Sequence, residues 1–256
     1  MLNRFFPHMY DSPDKGQVMG GLSFGVVPFL LLPFTLTVLV FDTGDIGPRL
    51  VLEYIYIAVN FILLLSIFRP YLADSWLNVT VYPKRFLGVC LGATALIGAI
   101  YGGITWAAIA GVFDKADTVA LGILPMAGVE LMLLPGDFVL EGGILAVAAL
   151  VLAGPFITAC MFYTTAFAPV CVGGHRFAAY LSVAALTALP RIITYFTVWG
   201  GWKEPQLFLA QLPIHWLACW TYQKTDTVWA PIFTHAAANA LSCAVLYGLL
   251  HFGYIS

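Results

Sequence analysis

Residues 222–239 read Tyr222-Gln-Lys-Thr-Asp-Thr-Val-Trp-Ala-Pro-Ile-Phe-Thr-His-Ala-Ala-Ala-Asn239. A short polar run ends at Asp226, and an apolar run follows with Pro231 near its start, where the missing N–H of proline costs nothing in a first helical turn. His235 and Asn239 then stand four residues apart, so on a helix their side chains share one face. The stretch therefore predicts an apolar helix with two polar side chains on a single side.

The composition around this stretch is typical of a membrane protein. Of the 256 residues, 61% are hydrophobic and 9% are charged, whereas soluble domains carry roughly a quarter charged residues. So few charges cannot cover a water-facing surface, and we expect an integral membrane protein in contact with the lipid bilayer. The net charge of −2 argues against a nucleic-acid partner.

Apolar runs of about 20 residues can cross a bilayer as helices. They predict an all-α, polytopic transmembrane bundle of about eight spans that forms a single integral membrane domain, residues 1–256. The weakest run is Thr118–Leu134, which could be a re-entrant or interfacial segment. The runs are Gln17–Phe41, Leu50–Phe68, Phe86–Phe113, Thr118–Leu134, Gly143–Val170, Phe177–Trp199, Pro205–Tyr222 and Val228–Phe252.

The positions of Lys and Arg between these runs indicate an orientation. If the N-terminus is cytoplasmic, strict alternation of the spans puts more cations in inner loops than in outer loops, as the positive-inside rule requires. The inner set is Arg4, Lys15, Arg69, Lys84, Arg85 and Lys203, and the outer set is Arg49, Lys115, Arg176 and Lys224. The sequence therefore favours a cytoplasmic N-terminus.

The stretch 222–239 resembles the third signature of the CAAX-protease and bacteriocin-processing (CPBP) family of intramembrane proteases. In that family a Trp-Ala-Pro helix start leads to His-x-x-x-Asn, and here Thr227-Val-Trp-Ala-Pro231 leads to His235 and Asn239. The resemblance covers about residues 143–248. It implies a four-helix core at residues 143–252, accessory spans at 1–142, a likeness to type II CAAX prenyl endopeptidases, and a bacterial inner (plasma) membrane location.

Only two residues of the first family signature are kept. Pro155 and Phe162 match its proline and phenylalanine. Thr158 and Ala159 stand where the family has its catalytic glutamate pair, and Tyr163 stands at its arginine. Neither Thr nor Ala can act as a general base for water, which must lie within about 3 Å of that base.

The second signature, Phe-x-x-x-His, is also degenerate. The register that aligns Ser182 to Leu186 places Leu186 at the phenylalanine and Pro190 at the histidine. The chain is therefore interpreted as a pseudoprotease: His235 and Asn239 are a remnant motif, no residue is assigned a catalytic role, and no cofactor is expected.

Two further groups of polar residues have alternative interpretations. Arg191 lies inside an apolar run, where it either reaches the interface along its aliphatic stem or pairs with a carboxylate such as Glu130. His215 and Cys219 stand four residues apart and could bind a metal ion together with His235 and Cys160. For these histidines we favour hydrogen bonding between helices, and we expect no metal.

Three functional hypotheses follow. The leading one is a non-proteolytic member that uses its helix-lined cavity for binding or assembly, as a subunit of a membrane-protein complex. The second is an active CAAX-type intramembrane endopeptidase with a rearranged site built from Glu130 and His235. The third is a peptide- or lipid-binding protein similar to immunity or transport proteins.

Overall fold

The computed structural model of the chain describes residues 7–27, 46–110, 135–198 and 205–252, and all regular elements in these ranges are helical. The predicted all-α class is confirmed for this part of the chain. The helices are α1 (Lys15–Gly21, continued by the π-helical Leu22–Val26), α2 (Ile46–Val81), α3 (Pro83–Ile109), α4 (Pro135–Ala148), α5 (Gly154–Thr158), α6 (Ala168–Val172), α7 (Arg176–Val198), α8 (Pro205–Thr225) and α9 (Trp229–His251).

Residues 135–172 form a helical rod in which α-helix and π-helix alternate, with one break at Gly143. Two π-helical segments, Ala149–Ala153 and Ala159–Phe167, separate α4, α5 and α6. Gly143 breaks α4 with φ 56° and ψ −140°, a backbone conformation that favours glycine because it lacks a Cβ atom. The kink sets the start of the long apolar part of this rod at Gly142.

Four helices of the described part are long and apolar enough to cross a membrane: Leu50–Val81, Pro83–Trp106, Gly142–Val172 and Trp229–Leu249. They match four of the predicted runs, so a helical membrane protein is supported. The described apolar stretch of α7, Arg176–Thr187, is shorter than these four helices. Thr118–Leu134 and most of Gln17–Phe41 lie outside the described residues, and the count of eight stays a prediction.

The core is formed around the rod by helices from both halves of the chain. Phe162, Tyr163 and Phe167 of the rod are fully buried, and so are Leu64 and Phe68 of α2. All five belong to the same hydrophobic cluster, which α8 and α9 complete. The helices that precede residue 142 therefore build the core that encloses the candidate site. The proposed division into accessory spans and core stays a prediction.

The loop between α8 and α9 lies at the same end of the bundle as the start of α3. The Arg85 guanidinium donates a hydrogen bond to the carbonyl oxygen of Lys224, and the Asn78 amide donates to the carbonyl oxygen of Asp226 at 2.6 Å. The assignment of Arg85 and Lys224 to opposite sides of the membrane is therefore wrong. It followed from strict alternation of the predicted runs, and a hydrogen bond between the two residues requires one side.

Candidate functional site: a buried polar cluster

The helix predicted from residues 222–239 is α9, and its two polar side chains point into the protein. His235 and Asn239 are both fully buried, and α9 packs against α5 and the first π-helical segment of the rod. The helix that holds His235 and Asn239 therefore lies against the segment that holds Pro155. The segments were recognised separately in the sequence, and only the tertiary structure shows that they are in contact.

Asn239 satisfies a backbone carbonyl that the rod leaves without its usual partner. In the π-helical segment Ala149–Ala153, the amide of Gly154 bonds to the carbonyl oxygen of Ala149, five residues back. In the same register the donor for the Leu150 oxygen would be residue 155, but Pro155 has no N–H. The Asn239 side-chain amide donates to that oxygen at 2.7 Å, so Asn239 replaces the donor that Pro155 lacks.

His235 lies beside a second buried histidine that comes from α8. The ring centroids of His215 and His235 are 6.0 Å apart, with the rings nearly perpendicular. The Tyr163 hydroxyl and His215 Nδ1 form a hydrogen bond of 2.9 Å. Tyr163 is the residue that stands at the arginine position of the first signature. It is thus hydrogen-bonded to His215, which no signature predicted. We call Tyr163, His215, His235 and Asn239 the buried polar cluster.

Three polar atoms of His235 and Asn239 lack a hydrogen-bond partner among the described residues. They are both ring nitrogens of His235 and the side-chain oxygen of Asn239. A buried polar group without a partner costs about 1–3 kcal/mol. Because His235 and Asn239 lie on one helix face, these atoms offer two kinds of ring nitrogen and one amide acceptor to a small polar group.

The degenerate first-signature positions contribute no acid to this region. Thr158 and Ala159 are fully buried within the rod. Pro190 and Arg191 lie within α7, and their side chains are outside the described part. Glu130 lies outside the described residues altogether, so the pairing of Arg191 with Glu130 stays a hypothesis.

The suggested metal site does not assemble in the described part of the chain. No three His, Cys, Asp or Glu side chains there are grouped so that they could hold a metal ion. His215, His235, Cys160 and Cys219 are all buried, and both cysteines are free thiols. The contact between His215 and Tyr163 agrees instead with hydrogen bonding between helices.

An apolar groove lies outside the buried polar cluster, between α3, α7 and α8. It encloses about 540 Å³, and its walls include Phe177, Trp216 and Trp220. Phe177 and Trp216 are exposed in the protein. The groove offers lipid-like surface but no charged side chain, so it has none of the polar chemistry of the cluster.

The sequence alone did not show that Tyr163 and His215 belong to the cluster. Tyr163 entered only as a substitution of the family's arginine, and His215 entered only as a metal or core candidate. The available signal was the presence of a second histidine in an apolar helix directly before the 222–239 stretch. Comparisons with protein-family models, with curated proteins and with solved structures gave no match for this chain.

Proposed function

We propose that this chain is a non-proteolytic membrane protein of CPBP type that uses its buried polar cluster to bind another molecule or to hold a partner subunit. The observation that carries the proposal is the fully buried His235 and Asn239, three of whose polar atoms have no hydrogen-bond partner among the described residues. A cost of about 1–3 kcal/mol for each such group is offset when a bound polar group supplies the missing hydrogen bonds.

The side chains at the first signature support a binding role over peptide hydrolysis. Activation of water needs a base within hydrogen-bond reach, with its pKa suited to proton removal. Thr158 and Ala159 offer neither a carboxylate nor an imidazole. His215 brings a second imidazole beside His235, but its Nδ1 is already hydrogen-bonded to Tyr163. Two histidines that are not grouped with a carboxylate among the described residues can bind and orient a polar group.

The test is native mass spectrometry of tagged protein purified from its own membrane in mild detergent. We expect a stoichiometric bound mass, either a small molecule or a subunit, on the wild type. His235→Leu should lose at least 90% of it, because leucine fills a similar volume without ring nitrogens. His251→Leu is the matched control, since His251 is an exposed histidine on the same helix, and it should keep the bound mass.

Two results would count against this function. If wild type and His235→Leu carry the same bound mass, the buried polar cluster does not hold it. If purified wild type cuts a membrane-embedded peptide and His235→Ala abolishes the cut, the protein is the active endopeptidase of the second hypothesis. In that case Glu130→Gln would identify the missing acid.

For the membrane location we propose a bacterial inner membrane and a cytoplasmic N-terminal end. The N-terminal residues 7–14 contact Asp226 in the loop before α9. The same end carries Lys15 of α1, Lys84 and Arg85 of α3, and Lys224 of α8. Such a concentration of cations supports a cytoplasmic position under the positive-inside rule.

Labelling of an introduced thiol would test this orientation. Tyr10 is 80% exposed, whereas the five native cysteines are buried. Tyr10→Cys should therefore react with a membrane-impermeant maleimide in inverted vesicles and stay unlabelled in intact cells. Wild type supplies the background from native thiols. Labelling of Tyr10→Cys in intact cells would reverse the orientation.

A further inference from the structure

The N-terminal residues 7–14, which we call the strap, are held across the end of the bundle by two acidic side chains. Asp226 accepts hydrogen bonds from the backbone amides of Tyr10 and Asp11, both at 2.8 Å. Asp11 in turn accepts from the hydroxyls of Tyr71 and Ser75 of α2, also at 2.8 Å. The strap therefore joins α2 to the loop between α8 and α9.

Two further contacts fix the first part of the strap. The Gln223 side chain of α8 donates to the carbonyl oxygen of Pro7 at 2.9 Å, while its own oxygen accepts from the Tyr180 hydroxyl of α7. Met9 is only 3% exposed and belongs to the hydrophobic cluster that contains Tyr163. Met9 thus closes this end of the core.

The strap lies above the buried polar cluster. The hydroxyl of Tyr71 bonds both to Asp11 and to the hydroxyl of Tyr222. Tyr222 contacts the ring of Phe167, with 6.1 Å between centroids. One helical turn below Phe167 is Tyr163, and His215 precedes Tyr222 by seven residues, or about 10 Å along α8. Tyr71, Tyr222 and Phe167 thus form a layer of aromatic rings between the strap's anchors and the cluster.

We propose that the strap is a releasable latch that controls access to the buried polar cluster from this end of the bundle. The proposal rests on the binding role proposed above for that cluster. The strap is suited to release because its attachment is small. Met9 and Pro13 are its buried residues, and the rest is supplied by the hydrogen bonds of Asp11, Asp226 and Gln223. Release removes Met9 from the core and uncovers the aromatic layer.

The chemistry of Asp11 makes the latch sensitive to pH. Burial raises the pKa of the Asp11 carboxyl from 3.8 to about 6, the hydrogen bonds from Tyr71 and Ser75 oppose this rise, and the negative charge of Asp226 adds to it. Tyr222, which is hydrogen-bonded to Tyr71, is a further titratable group that interacts with this carboxyl. The docked carboxyl thus holds its proton more tightly than an exposed aspartic acid does.

The sign of the pH effect follows from this difference. Because the docked pKa is raised, docking gains its full proton-linked stabilisation below pH 4 and loses it as pH rises to about 6. The docking equilibrium should weaken roughly 25-fold between pH 4.5 and pH 7.5. The latch is therefore tightest in acid and is held at neutral pH by the remaining contacts.

Hydrogen–deuterium exchange of the full chain in nanodiscs tests the latch directly. After correction for intrinsic rates, protection of the Tyr10 and Asp11 amides should fall roughly 25-fold from pH 4.5 to pH 7.5. Asp11→Asn keeps the acceptor oxygen and should abolish this pH dependence. Asp14→Asn is the matched control: Asp14 is exposed on the same segment and caps α1, so the wild-type dependence should persist.

Carbethoxylation of histidines then tests access to the cluster. Asp226→Gly removes the strap's acceptor while glycine tolerates the φ of 56° at this position. It should raise strap exchange and speed the modification of His215 and His235 at least tenfold. The exposed His175 and His251 serve as internal references. Met9→Lys gives a second route to release if Asp226→Gly does not fold.

The outcomes separate the latch from the binding role. Both readouts use protein without added ligand. If the strap is freed and the two buried histidines stay as protected as in wild type, the latch proposal is overturned. The latch proposal is also overturned if hydrogen–deuterium exchange of the strap changes neither with pH nor with Asp226→Gly or Met9→Lys. If the histidines become reactive but no bound mass is ever found, the latch stands and the binding role fails.

Discussion

Asn239→Leu should lower the free energy of unfolding by about 2 kcal/mol. The substitution removes the donor that reaches the Leu150 carbonyl oxygen at 2.7 Å, and it leaves that oxygen buried. The backbone cannot repair the loss, because the residue that would donate in the π-helical register is Pro155. Unfolding in SDS-containing mixed micelles would give the free energy.

A double-mutant cycle can show that Pro155 is the reason for this cost. Pro155→Ala supplies the missing backbone N–H, so the double variant with Asn239→Leu should recover about 1–2 kcal/mol of the loss. If the two substitutions are additive within about 0.5 kcal/mol, Asn239 does not replace the proline's donor.

Asn60→Leu is the matched control for Asn239→Leu. Asn60 is also a buried asparagine whose amide donates to a backbone carbonyl, that of Tyr56 at 2.9 Å. Tyr56 lies within the regular helix α2, so its carbonyl retains the N–H four residues on. We expect Asn60→Leu to cost less than about 1 kcal/mol.

Phe162→Ala should have the largest effect of the substitutions considered. Phe162 is fully buried in the π-helical segment of the rod and belongs to the main hydrophobic cluster. In soluble proteins such a truncation costs about 3–5 kcal/mol. Part of that figure is transfer from water, which is largely missing when the unfolded helices stay in lipid. We therefore expect roughly 2–4 kcal/mol in a membrane protein, from lost packing and the cavity.

Phe24→Ala provides the comparison. Phe24 is 57% exposed and lies in Leu22–Val26, so its removal opens no cavity. Thermal unfolding in nanodiscs should show a large drop in Tm for Phe162→Ala and little change for Phe24→Ala. Equal shifts in Tm for the two variants would mean that the rod around Pro155 and Phe162 is not a tightly packed part of the core.

The part of the fold that could be predicted followed from the lengths of the apolar runs in the sequence. Four runs read from the sequence coincide with helices that are long enough to span a membrane, because a hydrophobic run of this kind has few alternatives in lipid. The side of the membrane on which each loop lies was not predictable in the same way. Counting runs placed Arg85 and Lys224 apart, whereas the structure joins them by a hydrogen bond.

The candidate site was half predictable. The spacing of His235 and Asn239 determined that they share a helix face, since the helical period is local. Which groups they would meet was beyond the sequence. Leu150 lies 89 positions before Asn239, and Tyr163 and His215 are 52 positions apart. Such pairs depend on how the rod, α8 and α9 are arranged in space.

By itself, the sequence determined a helical membrane protein, a helix with two polar side chains on one face, and the absence of acids at Thr158 and Ala159. These properties follow from composition, helical period and side-chain chemistry, which are fixed residue by residue. Only the tertiary structure decided that Asn239 completes a carbonyl exposed by Pro155, that His215 stands beside His235, and that the strap covers this end of the core. The reason is that hydrogen bonds between distant segments depend on packing, and packing is a property of the assembled bundle.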